Sequence, residues 1–317
     1  MIHEKDGIHI ETNEKVVADA RTAKGDINFV SHAHADHAAK EDGRFVCSEL
    51  TRKIMSERFD VEMERYENSK IELIESGHII GSTSALIDNQ ILYTGDFSPR
   101  DRLYLNGFEP VEAEKLIMET TYGTPAYRFP SQEEVEKRIK DWVADSNGPL
   151  VLFGYSLGKA QKIQQIVQKS TSRDLIAHDA IKNMNEVIEK HTDLEFRAKP
   201  YDKNKDVLEE NGILFAPSRS SQADWMKKIV DKYGVKKAGF SGWANTDSFR
   251  YRGGYDETFV LSDHADFDEL VETVEKVNPE KVYTHHGFDE EFASYLKREK
   301  GIDARALKHN QSSLTDF

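Results

Sequence analysis

The alternation of apolar and polar residues changes character along the chain. Over the first 120 residues the apolar positions come in short runs: DINFVS (26–31), KIELIES (70–76), ALIDNQILYTGD (85–96) and KLIMET (115–120). Runs this short, β-branched and bounded by Gly, Asp or Asn, predict strands. Inside the third, Asp88-Asn89-Gln90 predicts a hairpin turn. One stretch, SELTRKIMSERF (48–59), has helical character.

From residue 123 the period lengthens. SQEEVEKRIKDWVADS (131–146) opens with a Ser-x-x-Glu capping box and puts Val135, Ile139, Trp142 and Val143 on one face. A strand, GPLVLFGY, and a helix, GKAQKIQQIVQKS, follow. The alternation continues through DLIAH, IKNMNEVIEKH, GILFAPS, QADWMKKIVDKY and KKAGFSG. This predicts an α/β insert with its own parallel sheet. After ETFVLSDHAD come a helix (FDELVETVEKV), a strand (KVYTHHG), a last helix (EEFASYLKREKG), a terminal strand (IDARAL) and a polar tail.

Composition narrows the class. The 317 residues are 38% hydrophobic and 32% charged, as in an ordinary globular protein. No apolar run approaches the roughly 20 residues that cross a bilayer, and the polar start MIHEKDGIHIETNEK does not look like a signal peptide. The single cysteine, Cys47, reads as a core residue of a protein of the reducing cytoplasm. A formal net charge of −14 weighs against a broad basic face for nucleic acid, while leaving room for a narrow basic cleft.

The chemistry begins at VSHAHADHA. His32, His34, Asp36 and His37 follow directly on a strand, with alanines as the only spacers. Imidazoles and a carboxylate so spaced suit Zn²⁺ or a similar divalent ion, and a crowded site leaves no room for larger neighbours. Downstream, ESGHIIGST puts His78 beside glycines and ILYTGDFSPR puts Asp96 at a strand end. An aspartate between two cations can bridge them, and metals roughly 3.5–4 Å apart can serve an in-line phosphoryl displacement.

H-x-H-x-D-H, then Gly-His, then Thr-Gly-Asp resembles the metallo-β-lactamase superfamily. METTYG, LSDHAD and YTHHG resemble the three further motifs of its β-CASP nucleases, giving Glu119, His264 and His286. TYGTPAYRFPSQEEV, GYSLGKAQKI, SGWANTDSFRYRGGYDETFVLSDHADF and VYTHHGFDEEFASYL are similar to DNA exonucleases associated with ATP-dependent ligases. They are also similar to short archaeal proteins described as mRNA 3′-end processing factors. The resemblance implies an α/β fold, a metallo-β-lactamase αββα sandwich over 1–122 and 241–317 with a β-CASP insert over 123–240. It implies two divalent ions, Zn²⁺ before Mn²⁺, one on His32, His34 and His78 and the other on Asp36, His37 and His286, with Asp96 between them. Asp36 counts among the catalytic groups, His264 positioned by Glu119 becomes the general acid, and Asp19 orients the ligand loop. His285 is set aside, because the family's histidine stands immediately before glycine.

Other stretches carry weaker expectations. GYSLGK fits a nucleophile-elbow pattern, but a serine hydrolase leaves the metal ligands unexplained. As a phosphate loop at a helix start it offers Ser156 and Lys159. Arg219, Ser220, Arg250 and Arg252 are further candidates for phosphates, with Arg128 as another cation. Tyr155, Trp243 and Tyr251 could stack on bases. His3, His9, His178, His191 and His309 read as structural or surface residues. The expected function is a nuclease on DNA or RNA ends, working on single strands in DNA repair beside a ligase or helicase system, or in RNA 3′-end processing. Two rivals are a thioester or lactam hydrolase, which needs neither Glu119 nor His264, and a non-catalytic subunit, which typically loses ligands.

Overall fold

The computed structural model describes residues 1–307, and His309 lies outside them. The chain divides into two compact units, Met1–Arg128 with the carboxyl-terminal segment from His264, and Phe129–Asp263.

Among the described residues the first unit is built on two main sheets. One has the order Ile2–Glu4, Ile8–Glu11, Lys15–Ala18, Ile27–Phe29. The other has the order Asp303–Ala306, Lys281–Gly287, Lys115–Thr120, Ile91–Tyr93, Thr83–Ile87, Ile71–Glu75. Ile10, Val16 and Phe29 of the first sheet share one core with Ile87, Tyr93, Ile117 and Tyr283 of the second. The opposite face of the second sheet, through Leu92, Leu116, Met118 and Val282, packs on Leu270 and Val274 of the helix Phe267–Val277 and on Phe292 of Asp289–Tyr295. The period-2 alternation of Lys115–Thr120 is therefore read twice, with 116 and 118 toward helices and 117 toward the partner sheet. Sheet on sheet, with helices over the second sheet, is layering consistent with the metallo-β-lactamase fold.

Strand direction places the chemistry. Ile91–Tyr93, Lys115–Thr120 and Lys281–Gly287 are parallel. Ile71–Glu75 runs the same way, since it is antiparallel to Thr83–Ile87, itself antiparallel to Ile91–Tyr93. The carboxyl ends of four co-directional strands thus lead to His78, Asp96, Glu119 and His286, at the edge where α/β sheets gather their ligands. The hairpin expected at Asp88-Asn89-Gln90 is present, with Asp88 and Asn89 both left-handed (φ 51° and 54°).

The second unit carries a six-stranded sheet whose pairings are all parallel. Leu150, Leu152, Ile213 and Phe215 pack with Val135, Ile139 and Ile163 from two helices. Val151, Phe153, Leu214 and Ala216 pack on the other face with Met226 and Ile229. The capping box forms, with the Glu134 N–H donating to Ser131 Oγ at 3.3 Å and the Ser131 N–H to the Glu134 carboxylate at 3.1 Å. The sixth strand, Glu257–Phe259, pairs with Lys236–Phe240, so this unit continues beyond residue 240.

Two local differences from the sequence expectation have physical reasons. The amino-terminal strands leave little mark in the sequence, because runs of three or four residues are too short for an alternation such as Ile8-His9-Ile10-Glu11 to stand out. The last helix widens into a π turn at Leu296–Lys300 before Gly301. No helix among the described residues is long and apolar enough to cross a membrane.

Candidate metal centre

The loop after Ile27–Phe29 is held from beneath by Asp19. Its carboxylate accepts from the Ser31 N–H (2.7 Å), Ser31 Oγ (2.6 Å) and Tyr93 Oη (2.8 Å), and pairs with His37 Nδ1 (2.9 Å). Asp19 itself is left-handed (φ 52°), a conformation aspartate tolerates better than most residues. This is a carboxylate backing a histidine, which fixes the ring and its tautomer so that the far nitrogen, Nε2, points into the site. Ser31 Oγ also lies 2.9 Å from His32 Nδ1. Neither Ser31 nor Tyr93 carried any sequence signal, since both act through Asp19. Ala33, between His32 and His34, is fully buried, as are Ala38 and Ala39 directly after His37, which leaves no room there for larger side chains.

His32, His34, His78 and Asp96 form one group whose donor atoms lie within 4.8 Å of one another, and Asp36, His37 and His286 form a second. His34 Nδ1 is 3.0 Å from His32 Nε2 and 3.2 Å from His78 Nε2. Asp96 Oδ2 stands 3.5 Å from both His37 Nε2 and His78 Nε2, and 3.6 Å from His32 Nε2. One oxygen therefore faces both groups. The other, Asp96 Oδ1, is buried and has no hydrogen-bond partner among the described residues. A buried carboxylate oxygen left bare is costly. The donor set of imidazoles and carboxylates, with that oxygen between two groups, fits divalent cations of the zinc type. Gly95, before Asp96, is left-handed (φ 55°), and a Cβ there would come within 2.6 Å of the Ser31 side chain.

The two adjacent histidines at the end of Lys281–Gly287 part by a bulge. Glu119 pairs with His285 but Thr120 pairs with Gly287, so His286 is the extra residue, at φ 64°. Such a bulge re-aims a side chain, and here it puts His286 with Asp36 and His37. His285 stays buried, its ring stacked 5.7 Å from that of Tyr93, and burial drives its pKa down to about 3.

Beside these groups sits a third, Asp96, Glu119 and His264. His264 Nδ1 is 2.7 Å from Glu119 Oε1, and its ring centroid is 4.6 Å from that of His78. Glu119 also accepts from the Phe97 N–H (3.0 Å) and from the hydroxyl of Thr121. Burial opposes its ionisation, yet the His264 charge and these hydrogen bonds outweigh burial and hold it at about 2. An ionised Glu119 favours the protonated imidazole that an acid requires. Thr121 is a further residue the sequence did not mark.

Neighbouring groups pull the remaining titrations apart. Burial pushes His32 well below the ordinary histidine value, helped by the charges of His37, His78 and His34. Burial also opposes a charge on His37, but the carboxylates of Asp96, Asp19 and Asp36 prevail and raise it to about 10. Burial lifts Asp96. Asp36 falls despite burial, through His37, its own backbone and the charges of His34 and His286.

The residues expected at phosphates all lie in the second unit, and the structure corrects some of them. Lys159 is buried, bonded to Asp263 Oδ2 (2.7 Å) and to the Leu261 carbonyl, so it is spoken for within the fold. Ser220 is buried with Oγ donating to the Pro217 carbonyl (2.6 Å). Arg250 folds back onto the carbonyls of Tyr255 and Asp256. Ser156 is half-buried, while Arg219 and Arg252 are exposed. Tyr155, Trp243 and Tyr251 are all exposed. In the first unit, Arg128 pairs with Asp268 (2.6 Å).

The comparisons with known proteins agree with this geometry. Residues 257–307 match the Zn-dependent metallo-hydrolase RNA specificity domain. The chain is 34% identical to a probable DNA ligase of Opitutus terrae, over 90% of this chain and 29% of that one. It is 32% identical to an uncharacterized protein from the region 3′ of the ligase gene of Acidianus ambivalens, over 39% of this chain and 91% of that one. A probable RNase, MJ4 of Methanocaldococcus jannaschii, is 25% identical over 87% of this chain and 85% of that one. The chain thus spans under a third of the ligase that it matches almost end to end. With histidines and aspartates gathered at the carboxyl edge and a Glu-bonded His264 beside them, the chain belongs to the β-CASP branch of the metallo-β-lactamase superfamily.

Proposed function

We propose that the chain is a metal-dependent phosphodiesterase that shortens single-stranded DNA or RNA from an end. The observation that carries this reading is His264, bonded through Nδ1 to an ionised Glu119 and set beside His78 and the Asp96 carboxylate. Hydrolysis of a phosphodiester must expel an alkoxide, and a positioned acid is what that leaving group needs. Relatives named as a probable DNA ligase and a probable RNase support a polynucleotide substrate.

His32, His34 and His78 would hold one ion and Asp36, His37 and His286 the other, with Asp96 toward both. Two divalent ions held here, Zn²⁺ before Mn²⁺, would supply a water acidic enough to attack at neutral pH and positive charge for the phosphoryl oxygens. Asp19 keeps His37 in the tautomer that donates a lone pair. As the water oxygen, one of its protons already released to solvent, bonds to phosphorus and the P–O bond to the departing nucleoside breaks, His264 Nε2 gives its proton to the departing oxygen and is reprotonated from solvent. Glu119 holds the ring in place and stabilises its charge beforehand. The setting we infer is cytoplasmic, beside DNA-joining or RNA-processing machinery.

The test is digestion of end-labelled DNA and RNA side by side, with 5′-phosphate, 5′-hydroxyl and 3′-blocked ends, in Zn²⁺ or Mn²⁺. A ladder shortening from one end, abolished by a chelator, is expected. Stoichiometric metal with no cleavage of any nucleic acid would falsify the reading.

A further inference from the structure

His78 follows the softest residue of its loop. Gly77 is left-handed (φ 68°) and has no side chain to hold it, so its backbone is freer than that of any other residue type. A metal ligand needs the reverse, a main chain that keeps the imidazole aimed. Residues 98–108, which follow Asp96 in the same unit, supply the restraint. The Ser98 N–H donates to the Ser76 carbonyl at 2.9 Å, and the Phe108 N–H donates to the Ser98 carbonyl at 2.8 Å. Ser76 Oγ donates to the Asp96 carbonyl at 2.9 Å and so ties the two ligand-bearing segments together. The packing is close enough that a Cβ on Gly77 would run into the Ser98 carbonyl oxygen.

Arg102 completes the clasp. Its guanidinium donates to the Gly77 carbonyl, which belongs to the peptide that joins Gly77 to His78. Its own backbone is held by a two-way bridge with Leu105, at 2.8 Å and 2.7 Å. Arg102 is 2% exposed, and Gly77 is buried as well. Taking a guanidinium out of water is costly. What its charged hydrogen bond adds is direction. It fixes the plane of the peptide from which His78 reaches His34 Nδ1 at 3.2 Å and Asp96 Oδ2 at 3.5 Å.

We infer that Arg102 is a positioning residue for His78, holding the Gly77–His78 peptide so that the imidazole meets the ion shared with His32 and His34. This rests on the reading of His78 as a ligand of that ion. Groups that orient a metal ligand from behind typically govern metal affinity by about 10- to 100-fold.

The test is Zn²⁺ binding by the full chain, stripped of metal and titrated against a chromophoric chelator, so it needs no nucleic acid. Wild type is expected to take two ions, one per donor group. In R102M the Gly77 carbonyl loses its donor, and one ion should weaken about 10- to 100-fold while the other keeps its affinity. R102K restores a donor without the planar fork and should recover part of the loss. H78A is the reference and should weaken a single ion by at least as much. R102M added to H78A should change nothing further, because its route to the metal is gone. An unfolded fraction lowers the number of ions per chain and leaves the affinity of the folded remainder as it was, so poor folding is not mistaken for poor binding. If H78A weakens one ion and R102M leaves both unchanged, weakens both alike, or adds its full loss to that of H78A, the positioning role is overturned while the metal centre stands. If H78A binds both ions as wild type does, His78 is no ligand and the inference falls with that assignment.

Discussion

The Asp96 centre of the first unit and the Gln161–Gln164–Asn185 cluster of the second are both buried, both polar and both fixed by neighbouring elements. They differ in their accounts. Asn185 Oδ1 accepts from Gln161 at 2.9 Å and Gln164 at 3.1 Å, and its amide donates to Gln164 Oε1 at 2.8 Å. Gln161 also donates to the Ser156 carbonyl and accepts from the Gly158 N–H. Every side-chain oxygen and nitrogen of those three amides has a partner. Asp96 instead keeps one oxygen bare and turns the other toward three imidazoles at 3.5–3.6 Å. A satisfied cluster specifies packing, whereas a cluster left short of partners is shaped around something that arrives later.

The sharpest way to break that contrast is Asp96→Asn. Burial works against the Asp96 carboxylate, but its charge is the foremost of those that hold the proton on His37. The metal-free variant should therefore lose on the order of 1–3 kcal/mol of stability near neutral pH, where that imidazolium is left with Asp19 and Asp36 alone. Cleavage should drop by at least about 10³-fold, near 4 kcal/mol of barrier, with fewer ions retained by elemental analysis. A variant that keeps full metal and full rate would show that the bare oxygen is incidental.

Asn185→Leu tests the other side. It strips Gln161 and Gln164 of buried partners, which costs about 1–3 kcal/mol. Denaturant unfolding should register that loss while metal content and kcat at 25 °C hold. A drop in metal content would mean that the two clusters are not independent.

How much of this was legible in the sequence follows the same division. His32, His34, Asp36 and His37 stand out in the sequence as candidate ligands because the donors of one loop are neighbours along the chain. His78, Asp96 and His286 were legible beside glycines, whose left-handed or crowded backbones leave a mark. Residues acting through other residues left none. Ser31, Tyr93 and Thr121 are ordinary strand and loop side chains until Asp19 and Glu119 are placed beside them. Lys159 shows a related limit. A lysine at a helix start looks like a phosphate contact until its partner, Asp263, arrives from 104 positions away in the chain. The alternation of Lys115–Thr120 was plain, but the bulge that separates His285 from His286 depends on pairing between Lys115–Thr120 and Lys281–Gly287, which no single strand encodes.

The last contrast lies inside the metal centre and is read by pH. His32 is held neutral by burial and offers a lone pair at once, whereas His37, raised to about 10 by Asp96, Asp19 and Asp36, carries a proton that a cation must displace. Binding at neutral pH should therefore release about one proton, and apparent affinity should climb about tenfold per pH unit until pH approaches 10. The sign for stability is opposite in the metal-free protein. A histidine whose folded pKa exceeds its unfolded value of 6.5 contributes stability that is fully present below 6.5 and drains away as pH rises toward 10. The melting temperatures of metal-loaded and chelated protein should thus draw apart between pH 6.5 and 9, the chelated form falling. His37→Gln should flatten the chelated curve, since glutamine has no proton to lose. A gap that stays constant across that range would mean that His37 meets the metal already neutral, and that Asp19 serves only to aim its ring.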